Sequence, residues 1–199
     1  MRSSILLIAT ISGFLTIAAI ACTSADGNTQ NDTTKVDSVA RVKRGAYLVN
    51  AVGCDDCHSP KRMGAHGPEL IPELRFSGFP HNGQLPPVDT NTVKKGWVLM
   101  APDLTSTVGP WGISYAANIT SDGSGIGNWK EENFIRALRE GKNKGLANGR
   151  PLLPPMPWMV YKNMSDEDLK SIFAYLKTTR PVNNTAPAPK PLAAIRSVP

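Results

Sequence analysis

Two cysteines and a histidine lie close together in the sequence, as Cys54-Asp55-Asp56-Cys57-His58. Cys-x-x-Cys-His is the pattern by which haem is attached covalently to protein. Two thiols one helical turn apart can add to the two vinyl groups of haem, and the histidine that follows supplies an iron ligand. We therefore predict one covalent haem, bound through Cys54 and Cys57, with His58 as the proximal ligand.

A Cys-x-x-Cys pair has two other common uses. Half of a zinc site would need a second Cys/His pair, and His66 and His81 are poorly spaced to provide one. A thioredoxin-like redox pair would need a strand–helix–strand pattern around it, which the sequence lacks. The chain has three cysteines, and the third, Cys22, lies at the end of an apolar N-terminal run. Haem attachment therefore remains the favoured interpretation.

A haem that only transfers electrons usually has a second axial ligand. The candidates are Met63, Met100, Met156, Met159, Met164, His66 and His81. Prolines on both sides of Met156 fix the backbone in an extended form that could hold a thioether steadily against iron. Filling a gap in the core is the alternative role for Met156, and Met159 is its nearest rival as ligand. We predict His58 and Met156 as axial ligands, a pair that raises the reduction potential relative to bis-histidine haem.

The N-terminus has the organisation of an export signal. Arg2 precedes a mostly apolar run that ends in small residues, so residues 1–21 are predicted to be a signal peptide rather than a membrane-spanning helix. Cys22 follows in a context that resembles a bacterial lipobox, although Ala19 replaces the usual leucine. We expect lipidation of Cys22, with cleavage a few residues later as the alternative. Residues 22–36 lack apolar periodicity and are predicted to be a flexible tether.

The rest of the chain is predicted to form one domain over residues 37–181, followed by a Pro/Ala-rich tail, 182–199, that wraps the surface or frays. Gly45 within the first predicted helix indicates close contact with another element. Ser165 and Asp168 resemble a capping box at the start of the last helix. Three apolar stripes have helical spacing: Val39, Val42, Ala46 and Val49; Phe134, Ile135 and Leu138, within a helix from Trp129 to Glu140 that stops at Gly141; and Leu169, Ile172, Phe173 and Leu176.

A long stretch rich in Gly and Pro, residues 61–118, separates the haem motif from the second predicted helix. Irregular loops of this length in compact domains are usually functional. We expect it to wrap the haem edge, with room for a short β-hairpin or strand near Lys95–Leu104 and with Trp111 packed on the core. Arg75, Arg150 or a tryptophan could bind the haem propionates. Asp122–Gly125 is predicted to be a plain turn, because the regular acidic spacing of a calcium loop is absent.

The formal net charge is +6. Lysines and arginines are spread along the chain, and no basic cluster is longer than short pairs such as Lys94-Lys95. This distribution does not indicate a nucleic-acid partner. A diffusely basic surface favours solubility, or weak steering toward an acidic partner.

Several motifs together resemble those of bacterial monohaem c-type cytochromes, specifically class I-type cytochrome c domains. The resemblance covers about Val39 to Pro181 and is closest to cytochrome subunits that accept electrons from periplasmic dehydrogenases. It implies a mainly helical domain around one haem, in which Gly45 and Tyr47 of the first helix meet Phe173 or Tyr175 of the last. The motifs are Arg44-Gly45-Ala46-Tyr47-Leu48-Val49, Asn118-Ile119-Thr120-Ser121-Asp122, Gly125-Ile126-Gly127-Asn128-Trp129, Arg136-Ala137-Leu138-Arg139-Glu140-Gly141, Pro155-Met156-Pro157-Trp158 and Ser165-Asp166-Glu167-Asp168-Leu169 through Ala174-Tyr175-Leu176.

The predicted function is single-electron transfer by haem c iron, on the periplasmic side of a bacterial membrane and with a lipid anchor at Cys22. A dehydrogenase or a terminal oxidase is the expected redox partner, and no catalytic acid/base set stands out. The main alternative is a haem enzyme or sensor with an open distal site. A dedicated subunit of a dehydrogenase complex would use the same chemistry with one fixed partner.

Overall fold

A computed structural model of the chain describes residues 29–196. The domain is mainly helical, as expected for a cytochrome c-like fold with an insertion of short hairpins. Its α-helices are α1 (Thr29–Ala51), α2 (Cys54–His58), α3 (Thr90–Lys94), α4 (Glu131–Glu140), α5 (Trp158–Tyr161) and α6 (Asp166–Leu176). Short 3₁₀ turns cover Pro72–Leu74, Asn143–Gly145 and Leu192–Ala194.

Two small antiparallel sheets lie between α2 and α4. The first is a hairpin of β1 (Lys61–Gly64) and β2 (Gly67–Leu70). The second contains β3 (Leu99–Met100), β4 (Ser106–Gly109) and β5 (Gly112–Tyr115), in the order β3-β4-β5. Both sheets belong to the stretch that the sequence marked as a long insertion.

The first and last long helices cross at Gly45. A Cβ atom placed there would lie 1.9 Å from the Ser171 carbonyl oxygen and 2.7 Å from Cβ of Tyr175. Glycine therefore lets the α1 backbone lie directly against α6, and the predicted close contact at this residue is confirmed. Leu48 and Val49 follow on the same face and are buried in the main core.

Two details of this crossing differ from the prediction. The Tyr47 side chain is 62% exposed and lies beside the Arg44 guanidinium instead of meeting α6. Val39 is 49% exposed, so the buried stripe of α1 begins further along the helix than predicted. The period of the apolar stripe is correct, but its first residue is not covered.

The ends of α4 and α6 follow the sequence signals. The Ser165 hydroxyl accepts the Asp168 N–H at the start of α6, but the Asp168 carboxylate bonds to Arg44 of α1 instead of closing a capping box. Gly141 ends α4 in the left-handed conformation, with φ of 63°. Helix α4 begins at Glu131, two residues after the predicted Trp129.

The main core is shared by α1, α4 and α6, with the buried Phe76 and Ile126 from the connecting segments. A smaller cluster around Val93, Val108 and Ile113 lies under the insertion. Trp111 packs over Gly109 within its own hairpin rather than on the main core.

The described part of the tail wraps the surface of the domain. Ile113 and Lys190 form an antiparallel bridge, and Leu192 and Ile195 pack against the small cluster. Asn184 donates to the Ser77 and Phe79 carbonyls at 2.7 and 2.9 Å. The folded unit therefore extends beyond residue 181.

Helix α1 begins at Thr29, inside the segment expected to be a flexible tether. The predicted signal peptide and Cys22 lie outside the described residues. Between residues 29 and 196, none of the helices has both the length and the apolar character needed to cross a membrane.

Candidate haem-binding site

The Cys-x-x-Cys-His motif forms the single-turn helix α2. Gly53 precedes it with φ of 71°, a left-handed conformation that glycine adopts without strain and that separates α2 from α1. Cys54 and Cys57 thus lie one turn apart on the same helix, and both are free thiols. This is the arrangement that two thioether bonds to one haem require.

His58 is oriented by the insertion. Its Nδ1 lies 2.7 Å from the Ala117 carbonyl oxygen, and because a carbonyl only accepts, Nδ1 must carry the proton. That tautomer leaves the Nε2 lone pair free to bind a metal. The Gly78 N–H also donates to the His58 carbonyl at 2.7 Å. Burial lowers the pKa of His58, which favours the neutral imidazole needed for ligation.

An ion pair that the sequence did not reveal supports α2. Arg75 donates Nε to Oδ1 of Asp55 at 2.9 Å and Nη2 to Oδ2 at 2.6 Å. Arg75 Nη2 also donates to Asn50, at 2.8 Å, so the guanidinium is largely occupied and is less available to a propionate than expected. Burial would raise the pKa of Asp55, but hydrogen bonds from Arg75 and Ser59 outweigh it and hold that pKa below 3.8. Twenty residues separate the partners, and no local pattern in the sequence links them.

The C-terminal side of α2 is closed by Ser59 and Lys61. The Ser59 hydroxyl is fully buried, donates to Asp55 at 2.7 Å and accepts the Phe76 N–H at 2.8 Å. The Lys61 ammonium lies within hydrogen-bond distance of four carbonyl oxygens, which its three N–H groups share: those of Asp55, Asp56, Ser59 and Asp103. Cations near a helix C-terminus stabilise its free carbonyl groups, so Lys61 fastens the haem motif to the insertion.

The two thiols are partly buried. Burial raises the pKa of Cys54 to about 12 and raises that of Cys57 as well. The Tyr161 hydroxyl of α5 donates to the Val52 carbonyl at 3.0 Å, and burial raises the pKa of Tyr161 to about 12. Helix α5 therefore packs beside the haem motif even though about a hundred residues separate them in the chain.

Met156 lies on a strap between Leu152 and Trp158 that is fixed at several points. The Leu152 N–H donates to the Gly141 carbonyl at 2.6 Å, and the Ser114 hydroxyl donates to the Pro154 carbonyl, also at 2.6 Å. The Pro154–Pro155 peptide bond is cis. Met156 is half-buried and packs against the main core, as Cys54 does.

The other candidate axial ligands occupy different environments. Met63, Met100 and Met159 are 68%, 46% and 58% exposed, and His66 and His81 are also exposed. Met164 is the exception, since it packs against the same core cluster as Met156.

Metal sites of other kinds find no support in the described part of the chain. Within residues 29–196, no three His, Cys, Asp or Glu side chains are grouped to hold a metal ion. The Asp122 carboxylate accepts the Ser124 N–H and hydroxyl within a turn, as predicted for this loop.

Paired free thiols on one helical turn, with a neutral histidine whose Nε2 is free, fit covalent haem and define the class of c-type haem proteins. The cytochrome c family model matches residues 42–180, and the chain belongs to the cytochrome c family. The cofactor is haem c with its iron.

Several curated proteins are similar to the chain. The gluconate 2-dehydrogenase cytochrome c subunit of Pantoea cypripedii is 34% identical over 85% of this chain and 27% of its own length. The fructose dehydrogenase cytochrome subunit of Gluconobacter japonicus is 33% identical over 75% of this chain and 23% of its own. A nicotinate dehydrogenase subunit of Pseudomonas putida is 41% identical over 40% of this chain and 6% of its own. The chain thus matches about a quarter or less of each relative's length.

Proposed function

We propose that this electron carrier binds one haem c through Cys54 and Cys57, with His58 and Met156 as axial ligands, and serves a dehydrogenase at the periplasmic side of a bacterial membrane. When bound, the haem iron alternates between ferric and ferrous states and so carries one electron. The main support for this proposal is the His58–Ala117 hydrogen bond, because it leaves Nε2 of His58 free to bind iron.

The geometry of the strap supports Met156 as the second axial ligand. Tyr161, five residues further along, bonds to the carbonyl of Val52, two residues before Cys54. The backbone on either side of Met156 is restrained by prolines and by hydrogen bonds to Ser114 and Gly141. A restrained backbone lowers the entropy lost when the thioether binds iron.

Substitution of each methionine tests the ligand assignment. Met156→Ala should abolish the methionine–iron charge-transfer band of the oxidised protein, produce a high-spin spectrum and allow carbon monoxide to bind the reduced protein. Met159→Ala and Met164→Ala are matched controls and should keep the native spectrum. Loss of the band in Met164→Ala with retention in Met156→Ala would reassign the ligand. A native protein that is already high-spin would support a haem enzyme or sensor.

A dehydrogenase partner is supported by the names of the relatives, which are cytochrome subunits of fructose and gluconate dehydrogenases. The substrates of those enzymes differ, so the common feature is delivery of electrons to a cytochrome. After purification in mild detergent, the haem should be reduced on addition of fructose, gluconate or nicotinate if a dehydrogenase is permanently bound. A haem reduced only after a separate dehydrogenase is added would indicate a free carrier.

Location and anchoring are supported by the sequence of the N-terminus. We propose that residues 1–21 direct export and that Cys22 carries the lipid. Mass spectrometry of the mature protein should show one haem and a diacylglyceryl-type addition, and Cys22→Ser should lack the lipid while keeping the haem. A mature chain that begins beyond Cys22 would contradict lipidation without affecting the haem assignment.

A further inference from the structure

The segment that joins α3 to β3 is an exposed projection with an ordered backbone. Asp89 caps α3 by accepting the Asn91 N–H at 2.8 Å, and Val93 anchors the helix in the small core at 2% exposure. The N–H groups of Lys95, Gly96 and Trp97 all donate to carbonyls of α3. A projection with these bonds satisfied presents its side chains in fixed directions.

Its tip exposes an unusual amount of apolar surface. Trp97 is 66% exposed, and Val98 and Met100 are each 46% exposed. Met100 and the neighbouring Leu99 also line a shallow apolar groove, so the exposed surface continues into it. The remaining groove residues are Leu85, Pro86, Pro87, Val88, Ala101, Ser106 and Val108. Contiguous apolar patches of this kind on soluble domains usually mark an interaction site.

The groove has one polar group without a partner. Ser106 is 3% exposed, and its hydroxyl has no hydrogen-bond partner within the described residues. A buried hydroxyl in this condition costs free energy unless water or a ligand reaches it. The groove therefore contains a buried polar group in addition to its apolar side chains.

Two adjacent lysines precede the apolar tip in the sequence. Lys94 and Lys95 are exposed, and neither forms an ion pair among the described side chains. Asp103 is engaged elsewhere, since it accepts from the Thr105 N–H and hydroxyl. Asp89, which caps α3, lies close enough to Lys95 to offset part of its charge. The tip keeps a net positive charge beside tryptophan, because two lysines face one carboxylate.

We propose that this Lys–Trp patch, consisting of Lys94, Lys95, Trp97, Val98 and Met100, binds the surface of an anionic lipid bilayer. Lysines attract anionic headgroups, tryptophan partitions to the depth of the headgroups, and Val and Met enter the acyl boundary. Tryptophan and methionine are also common in protein interfaces, but lysine is depleted there, so the adjacent lysines favour an anionic bilayer over a protein partner. The folded domain would thus contact the membrane directly, whether or not Cys22 is lipidated.

Vesicle binding by the full-length holoprotein tests the proposal, with Cys22→Ser in every variant to remove the thiol that could carry a lipid. Vesicles contain phosphatidylcholine with or without phosphatidylglycerol. A lysine near an anionic surface contributes about 1 kcal/mol, so Lys94→Gln/Lys95→Gln should weaken binding to phosphatidylglycerol vesicles roughly thirty-fold. Trp97→Ser should weaken it about ten-fold, the effect of exposing about 60 Å² of apolar surface.

Matched controls lie on other exposed parts of the domain. Lys43→Gln/Lys144→Gln removes the same charge at two exposed lysines, and Met63→Ser removes a methionine that is 68% exposed. Both should bind vesicles as the parent does, and all variants should keep the parent's haem spectrum and thermal midpoint. Patch variants that bind no more weakly than these controls would overturn the proposal. So would unchanged vesicle binding together with loss of a co-purifying dehydrogenase, which would make the patch a protein interface.

Discussion

Replacement of Gly45 by alanine should destabilise the domain although alanine is the better helix former. The added methyl would lie 1.9 Å from the carbonyl oxygen and 2.6 Å from the carbonyl carbon of Ser171. Both atoms belong to the backbone of α6, so no side-chain rotation relieves the overlap and the two helices must separate. Separation loosens the contacts of Val49 and Leu169, both 0% exposed.

The expected magnitude follows from two opposing effects. Overpacking of this severity costs about 3 to 4 kcal/mol, and the gain in helix propensity returns about 1 kcal/mol. The net loss of about 2 to 3 kcal/mol should lower the thermal midpoint by about 8 °C. Guanidinium unfolding of the holoprotein, followed by circular dichroism and haem absorbance, measures it. Lys43→Ala on the exposed side of α1 controls for propensity. A Gly45→Ala protein as stable as the parent, with the same denaturant slope, would refute the close-packed crossing.

Three further predictions concern polar contacts. Arg75→Met should lower the free energy of unfolding in urea by about 2 kcal/mol, because the Asp55 carboxylate loses the guanidinium that bonds to both of its oxygens. Adding Asp55→Asn should recover part of that loss, and no recovery would contradict the pairing. Hydrogen bonding and charge from Arg44 hold the pKa of Asp168 below 3.8, so its stabilisation is complete above that ordinary value and is lost as pH falls through the lower, folded-state pKa. Because the Arg44 side chain is 51% exposed, Asp168→Asn should lower the stability only slightly at neutral pH, and the difference should shrink in acid. A difference that instead grew in acid would be inconsistent with the pair. Asn184→Ala should release the tail, lower the free energy of unfolding by about 2 kcal/mol and speed proteolysis near residue 184. Unchanged cleavage would show that the hydrogen bonds from Asn184 to the two carbonyls do not hold the tail.

The helices and the haem motif could be predicted because their signals are local. The stripes around Val49, Leu138 and Leu169 have the period of a helix, and Gly45 identified the crossing before any partner was known. Helix α1 begins at Thr29, within the predicted tether, because the sequence of residues 29–35 contains no apolar residue and therefore no periodicity that indicates a helix.

The insertion could not be predicted in detail, because its contacts connect distant residues. The Asp55–Arg75 ion pair spans 20 residues, and the hydrogen bond of Asn184 to Phe79 spans 105. The orientation of Tyr47 was also wrong, since the width of the covered face depends on how α6 crosses α1. Such contacts follow from the tertiary arrangement and leave no periodic trace in the sequence.

The insertion has a structural role at the haem site that its irregular sequence conceals. The Ala117 carbonyl accepts from His58, and three residues earlier the Ser114 hydroxyl donates to the Pro154 carbonyl on the strap that bears Met156. Strand β5 and the residues that follow it therefore contact the elements carrying both proposed axial ligands. One short segment of backbone thus contacts both elements, so a shift of β5 would displace His58 and the strap that bears Met156 together.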